Sequence, residues 1–312
     1  MLKSSTSFSI VICTYNRAKS LNDLLLSFSN MDKQPERKYE LLIIDNNSTD
    51  DTAKIIDTWK ARIDCPLLYY LEKPQGSSFA RNRAINESRC DWLWFVDDDI
   101  IFNRNWLTGV SGALDKYQDA SVIAGKIIPV FQTGQPEWLP DFALDYYGLT
   151  RFGYIDRWLN DGEYPIAGNA AFKRSIFTKI GMFNTSLGRV HKKLISWDET
   201  ELCMRLYRSG LKIAYTPEPT VHHIINKNRA TRRWLIRRIY CDGKSQVISE
   251  VAERKYTFEE LKQMAKNRLQ IEMEFNFELH LKFASMLKNI RIAGIIVEYA
   301  KQIIRAFISR RH

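Results

Sequence analysis

Short apolar runs alternate with amphipathic stretches along the first hundred residues. Phe8–Cys13 (FSIVIC) has the length and β-branched character of a buried parallel strand. Thr14–Arg17 breaks the run, and Ser20–Met31 then sets Leu21, Leu24, Leu25 and Phe28 on one face of a helix. Tyr39–Asp45 (YELLIID) reads as a second strand ending in the loop Asn46-Asn47-Ser48. A helix is expected over Thr49–Trp59, with Asp50 and Asp51 near its start, where the helix dipole favours negative charge. A strand at Leu67–Leu71, a helix at Ser77–Glu87 and a strand at Trp92–Val96 (WLWFV) complete a βαβαβαβ rhythm. That rhythm predicts an α/β fold with a mostly parallel, doubly wound sheet.

From about residue 120 the alternation loosens. Ser121–Val130 and Gly168–Phe172 read as strands, 131–165 as irregular surface, and Glu199–Ser209 as a helix. Pro217 and Pro219 break the chain before Val221-His222-His223. Helices are expected over 231–253, 257–278 and 280–309. At 312 residues and 45% hydrophobic content, one large α/β domain (1–226) followed by a helical extension (227–312) is the natural division.

Charge sharpens this division. Residues 1–226 balance at 27 basic and 27 acidic side chains, whereas 227–312 carry 19 against 9 and hold the whole net charge of +10. A basic extension on a neutral body suits an anionic partner, and a solvated helical face is the plain alternative. In the last helix Phe283, Leu287, Ile290, Gly294, Val297, Ile304 and Phe307 recur at helical spacing, with Lys282, Lys288, Arg291 and Arg305 largely on other faces. Such a helix can lie on an anionic bilayer or pack on the catalytic domain. Five scattered cysteines without a CxxC pair argue against a disulfide framework or a structural zinc site. The N-terminus lacks the apolar core of a secretory signal, and no stretch is long and apolar enough to span a bilayer. The expected location is the cytoplasm, extending to the inner face of the plasma membrane.

The polar clusters Thr14–Arg17, Asp45–Ser48 and Asp97–Asp99 all fall at the carboxyl ends of expected strands, where open α/β sheets bind ligands. Three consecutive carboxylates after WLWFV would repel one another without a cation, and a divalent ion with oxygen ligands resolves this. A solvated turn is the other reading. Trp197-Asp198-Glu199 precedes a helix and offers a carboxylate as general base, or an acidic helix start. His222 and His223 could supply an imidazole ligand or simply pack. Arg81 and Arg83 flank Asn82; an arginine fork suits a diphosphate, and simple exposure on a helix is the other reading. The Gly76-Ser77-Ser78 turn lacks both dinucleotide-binding and P-loop spacing.

In this order, SIVICTYNRAKSLNDLLLSF, LLIIDNNSTDDTAKII, EKPQGSSFARNRAI, WLWFVDDDI, GNAAFKRSIFTKIGMFN and WDETELCMRLYRSGLKIAYTPEPTVHHI resemble the inverting GT-A glycosyltransferases of family 2, over most of residues 7–225. The resemblance implies a GT-A-type, Rossmann-like nucleotide-binding domain, with nucleotide-sugar binding in about 1–120 and the acceptor part in about 121–226. Thr14, Tyr15 and Arg17 would line the nucleotide pocket, Asp45 would read the base, and Arg81 would approach the base or the diphosphate. Asp97 and Asp99 would form the DxD pair, with Asp98 beside them in the donor site. Asp99 would ligate Mn²⁺ or Mg²⁺ directly and His222 would be a further ligand. Gly168, Asn169 and Trp197 would sit where sugar and acceptor meet. The family's Glu-Asp base motif is exchanged here to Asp198-Glu199, so Glu199 takes the base position with Asp198 as the second choice. The implied partners are a nucleotide-diphosphate sugar, a UDP-sugar by preference, and a glycan or lipid-linked acceptor, with no nucleic acid. A sugar-phosphate nucleotidyltransferase and a non-catalytic membrane- or nucleic-acid-binding protein are the alternatives. The first would carry a Gly-rich phosphate loop that Thr14–Lys19 matches poorly, and the second has no need of Asp97, Asp99 and Glu199.

Overall fold

The computed structural model describes residues 6–32, 37–191, 193–252, 256–274 and 282–308. They fall into two compact units, Met1–Asn184 with Glu199–Lys227, and Thr185–Asp198 with Asn228–His312.

In the first unit the expected rhythm is realised as β1 (Phe8–Thr14), α1 (Ala18–Ser29), β2 (Tyr39–Asp45), α2 (Thr52–Lys60), β3 (Leu67–Leu71), α3 (Ser77–Glu87) and β4 (Trp92–Asp97). There follow β5 (Ile100–Phe102), α4 (Trp106–Lys116), β6 (Val122–Ala124), β7 (Ile127–Phe131), β8 (Arg157–Trp158), β9 (Asn169–Lys173) and α5 (Ile176–Ile180). The helix α6 (Asp198–Arg208) and the strands β10 (Ile213–Tyr215) and β11 (Val221–Ile225) close the unit. Among the described residues the main sheet has eight strands in the order β3-β2-β1-β4-β9-β6-β10-β8. Its first four strands run parallel, and β9 is antiparallel to both β4 and β6. A smaller sheet is ordered β5-β11-β7.

Strand alternation sends every second side chain to each face of the main sheet. Ile10, Ile12, Leu41, Ile43, Trp94 and Val96 meet the apolar faces of α1, α2 and α4. Val11, Leu42, Ile44, Leu93 and Phe95 meet α3 and α6. Both faces are therefore covered, which is why β1, β2 and β4 read as continuous apolar runs rather than alternating ones. The β1–β2 and β1–β4 registers bring Thr14 beside Asp45 and Cys13 beside Asp97. The polar strand ends thus lie on one edge.

The single strand expected over Ser121–Val130 is two strands, β6 in the main sheet and β7 in the smaller one. Gly125 lies at the division. Its N–H bonds the Asn169 carbonyl at 2.8 Å, and a Cβ at this position would collide with the Asn169 amide. The stretch 131–165 is mostly irregular but includes a 3-10 helix at Asp141–Tyr147 and the short strand β8.

In the second unit the three expected helices are α7 (Arg232–Val251), α8 (Phe258–Glu274) and α9 (Lys282–Ile308). The remainder of the stretch expected to be helical over 257–278 lies outside the described residues. α7 and α9 meet backbone to backbone. A Cβ on Gly243 would strike the Arg291 carbonyl, and one on Gly294 would strike the Tyr240 carbonyl. Val247, Ile295 and Tyr299 form the buried apolar centre, with Met264 and Leu269 of α8 packed against it. Asp242 accepts from Trp197 Nε1 at 2.9 Å and from Arg291 Nε at 3.1 Å. Trp197 therefore has its indole N–H committed within this unit, and its backbone is left-handed at φ 72°. Among the described residues no helix is long and apolar enough to cross a membrane.

Candidate active site

The strand β4 delivers three carboxylates in succession, and the loop after β1 supplies their counter-charge. Thr14 Oγ1 donates to Asp98 Oδ2 at 2.8 Å, and Arg17 Nη1 donates to Asp98 Oδ1 at 2.8 Å and to Asp99 Oδ2. Burial still pushes the Asp98 carboxyl up to about 6, with Asp99 and Asp97 adding to the shift and Arg17 and Thr14 opposing it. Desolvation outweighs the arginine because a buried charge loses far more hydration than one partner replaces. In return Asp98 and Asp99 raise the Arg17 guanidinium, which stays charged throughout.

A third group comes from β11. Ligand atoms of Asp97, Asp99 and His223 lie within 4.8 Å of one another. His223 Nδ1 is 2.6 Å from the Tyr147 carbonyl, which can only accept, so Nδ1 carries the hydrogen. Its Nε2 then faces Asp99 Oδ1 across 3.2 Å. A backbone carbonyl fixing the far nitrogen is also how ligating histidines are oriented. The donor set of two carboxylates and an imidazole fits a hard or borderline divalent ion such as Mn²⁺ or Mg²⁺.

The imidazole expected here from the sequence was His222, whereas the residue that lies in the cluster is His223. Along β11, Val221, His223 and Ile225 are buried while His222 and Ile224 are half-buried. The antiparallel register of β11 on β5 puts His223 opposite Ile100, next to Asp99. A one-residue slip in a strand reverses the face, so the adjacent histidine points away.

Two glycines make room. A Cβ on Gly168 would lie 2.7 Å from Asp97 Oδ2, and one on Gly148, at φ 88°, would lie 3.2 Å from His223 Nδ1. Gly168 thus stands beside the donor cluster.

Its neighbour Asn169 is a rivet rather than an open contact. Asn169 Oδ1 accepts from Trp94 Nε1 at 2.8 Å and Trp106 Nε1 at 3.3 Å. Its Nδ2 donates to the Lys126 carbonyl at 2.9 Å and the Pro219 carbonyl at 2.5 Å. Those carbonyls lead into β7 and β11, so one fully buried amide aligns the main sheet, carrying Asp97, with the small sheet, carrying His223. The sequence reading set Asn169 against sugar and acceptor; here its amide is bonded within the protein. Its amide has no hydrogen-bonding capacity left for a ligand.

The loops after β1, β2 and β3 are laced by asparagines that sequence reading did not single out. Asn16, left-handed at φ 51°, accepts on Oδ1 from the Thr49 N–H at 2.7 Å and donates its own N–H to Ser48 Oγ at 2.9 Å. Asn46 Nδ2 donates to the Glu72 and Pro74 carbonyls, and its Oδ1 accepts from the Gly76 N–H at 2.7 Å. The loops after β1, β2 and β3 are thereby tied together. Asp45 lies buried among them, accepting from the Ser48 N–H at 2.8 Å and from Tyr69 Oη at 3.1 Å. Tyr15 is half-buried in the first of these loops.

Arg81, on α3, donates to Glu199 Oε1 at 2.8 Å. Glu199 stands in the first turn of α6, and Asp198, which opens that helix, is buried.

A doubly wound sheet with a carboxylate–imidazole cluster beyond its strand ends is the arrangement expected of a GT-A-class glycosyltransferase. The chain belongs to the Glycosyl transferase family 2, whose profile matches residues 9–181. It is similar to the glucosyl-dolichyl phosphate glucuronosyltransferase of Haloferax volcanii, at 23% identity over 246 residues, covering 78% of this chain and 77% of that protein. It is also similar to the succinoglycan biosynthesis protein ExoM of Rhizobium meliloti, at 25% identity, covering 76% of this chain and 72% of that one. Among solved structures, the mannosyltransferase PcManGT from Pyrobaculum calidifontis, in complex with GDP-Man and Mn²⁺, superposes with a TM-score of 0.57 at 17% identity, covering 96% and 86% of the two chains. S. aureus TarS 1–349 in complex with UDP-GlcNAc gives 0.51 at 16% identity, covering 94% and 72%. At these identities the structures establish the shared fold. Family membership decides against the nucleotidyltransferase and the non-catalytic binder.

In an electron paramagnetic resonance titration of Mn²⁺, His223→Ala should weaken binding by about tenfold or more, a loss expected when a metal site loses a ligand or its support. His222→Ala should leave it within about twofold of the parent. Equal losses for the two variants would overturn the assignment of His223.

Proposed function

We propose that this glycosyltransferase moves a sugar from a nucleotide-diphosphate donor to an acceptor hydroxyl, with inversion at the anomeric carbon, in the assembly of a cell-surface glycan. The observation that carries the reading is the Asp97–Asp99–His223 cluster beside the tied loops after β1 and β2. Asp97, Asp99 and His223 hold Mn²⁺ or Mg²⁺, and such an ion supplies neutralisation of the negative charge on the departing nucleoside diphosphate. Thr14, Tyr15 and Arg17 line the nucleotide pocket, and Asp45 accepts from the base with the lone pairs that Ser48 and Tyr69 leave. Asp98 keeps Thr14 and Arg17 in place. Glu199 takes the proton of the acceptor hydroxyl as that oxygen attacks the anomeric carbon from the face opposite the leaving diphosphate. Asp198 is the alternative base, and Trp197 a contact for acceptor or sugar. Residues 1–120 form the nucleotide-sugar part and 121–226 the acceptor part.

A UDP-sugar is the favoured donor, a choice supported by the UDP-GlcNAc complex of TarS. The GDP-Man complex of PcManGT makes GDP the competitor to test against it. The names of the relatives support a glycan or lipid-linked acceptor, with no part for nucleic acid. The exposed side of α9 carries Met286, Ile296, Val297, Ile304 and Ile308, near the basic Lys301 and Arg305. An apolar stripe beside cations suits an anionic bilayer. The enzyme would then work on the cytoplasmic side, at the inner face of the plasma membrane.

Calorimetric titration with UDP, GDP, CDP and dTDP should find tight binding of UDP with Mn²⁺ and at least about tenfold weaker binding without it. Asp99→Ala should remove the metal-dependent part. Glu199→Gln should keep UDP affinity while transfer falls by roughly a hundredfold or more. No binding of any nucleotide in the presence of metal would refute the donor site, and a fully active Glu199→Gln would pass the base role to Asp198.

Sedimentation with phosphatidylglycerol vesicles should pellet the full chain, whereas phosphatidylcholine vesicles should not. Ile304→Glu should release it. Retention of that variant, or equal binding to both lipids, would refute the bilayer contact.

A further inference from the structure

We infer that Asp242 on α7 is a positioning residue for Trp197, fixing the indole that meets acceptor or sugar. This rests on the reading of Trp197 as that contact. The α7–α9 pair then serves acceptor binding as well as the bilayer contact proposed for α9.

The backbone at Trp197 calls for such a fixture. Among the described residues the non-glycine positions with a left-handed backbone are Asn16, Asn47, His191 and Trp197, the last at φ 72°. Asparagine enters this region readily, whereas a bulky aromatic residue does not. The conformation costs about 1–2 kcal/mol and persists where the surroundings over-determine it, most often at ligand clamps and active sites. Trp197 directly precedes Asp198, the second choice for the base.

One face of α7 supplies those surroundings. Arg238, Asp242 and Ser245 stand on it at helical spacing. Asp242 Oδ1 accepts from Trp197 Nε1 at 2.9 Å. Ser245 Oγ accepts from the Ser196 N–H at 3.0 Å and donates to the Cys241 carbonyl at 2.6 Å. Arg238 Nη1 donates to Ser196 Oγ at 3.1 Å and lies 3.7 Å from Asp242 Oδ1. Residues 196 and 197 are thus held by main chain, hydroxyl and indole at once.

Asp242 is itself held from α9. The close approach of the two helices at Gly243 and Gly294 brings Arg291 within reach. Arg291 Nε donates to Asp242 Oδ2 at 3.1 Å, and its Nη2 donates to Gln246 Oε1 at 2.5 Å. The Asp242 and Arg291 side chains are mostly enclosed, at 14% and 20% exposure. One carboxylate oxygen is therefore given to the guanidinium and the other to the indole, and bonds to a charged acceptor are the stronger kind. An indole turns about only two side-chain torsions, and fixing its N–H leaves neither free. Trp197 is half-buried, so part of the fixed ring reaches solvent. A rigid aromatic plane can take the C–H face of a sugar ring without losing rotamer freedom on binding.

Asp242→Ala, Asp242→Asn, Ser245→Ala and Trp197→Ala are compared with the parent as full chains. UDP affinity with Mn²⁺ is the fold check, since none of these residues figures in the donor site. The indole resonances of isotope-labelled tryptophan report the Trp197 N–H. Transfer from a UDP-sugar is followed against the concentration of lipid-linked glycans extracted from the source cells. Asp242→Ala should move or broaden the Trp197 resonance, raise the half-saturating glycan concentration about tenfold, and leave UDP affinity within about threefold of the parent. Asp242→Asn keeps an oxygen for the indole and should recover part of the loss. Ser245→Ala, the milder change, should raise the half-saturating concentration about threefold. Asp242→Ala combined with Trp197→Ala should be no worse than Trp197→Ala alone, since both act through one ring. An unmoved Trp197 resonance, or an unchanged half-saturating concentration where Trp197→Ala raises it, would overturn the inference. So would equal falls in UDP affinity and transfer in both Asp242→Ala and Ser245→Ala, the mark of a merely structural role. An unchanged half-saturating concentration in Trp197→Ala would instead remove the acceptor contact itself, while the resonance still reports the bond to Asp242.

Discussion

Three adjacent carboxylates beyond the end of a buried strand are the constraint around which the first unit is built. Two unit charges about 4 Å apart repel by roughly 4 kcal/mol at an effective dielectric of 20. That is a large share of the 5–15 kcal/mol by which a domain of ordinary stability holds together. The chain answers from a distant segment, with the hydroxyl of Thr14 at the end of β1 and the guanidinium of Arg17 just beyond it. Even so, Asp98 remains shifted upward by its burial. A cluster that stays unfavourable after the protein has supplied its own counter-charges is one prepared for a further cation. The cost is borne where it lowers the energy of a charged ligand.

The surrounding architecture keeps those groups in register. Asp97 belongs to the main sheet and His223 to the small one, and two sheets have no intrinsic reason to meet at a fixed offset. Asn169 supplies it, with all its amide capacity spent on two tryptophan N–H groups and two carbonyls. Each such bond contributes only about 1 kcal/mol net, yet leaving any one unmade in the interior costs more. That asymmetry makes the junction rigid. Asn46 and Asn16 do the same for the loops after β1, β2 and β3. The left-handed backbone of Asn16 is a conformation asparagine tolerates better than most residues.

Much of this was legible in the sequence. Strands with both faces covered announce themselves as apolar runs, so β1, β2 and β4 and the helices between them were found close to their observed bounds. The carboxylates at Asp97–Asp99 were conspicuous because acidic residues seldom follow five buried apolar ones. What escaped depended on contacts between segments far apart in the chain. Nothing local distinguishes His222 from His223. Only the pairing of β11 with β5 decides which face each takes. The division of 121–130 between two sheets falls at Gly125, where the chain passes too close to the Asn169 amide for a side chain. Arg81 was noticed as a cation suited to phosphate, yet its partner Glu199 lies 118 residues away. Buried asparagines look like loop residues in a sequence, since the same short amide caps turns and rivets cores.

The central claim, that Asp97, Asp99 and His223 together hold the metal that accompanies the donor diphosphate, is most directly tested by diffraction from crystals grown with UDP and Mn²⁺. An anomalous manganese peak is predicted within about 2.0–2.4 Å of oxygens of Asp97 or Asp99 and of His223 Nε2, with diphosphate oxygens completing the shell. A peak elsewhere, or UDP bound with Arg17 still clamped on Asp98 and Asp99 and no metal between them, would contradict it.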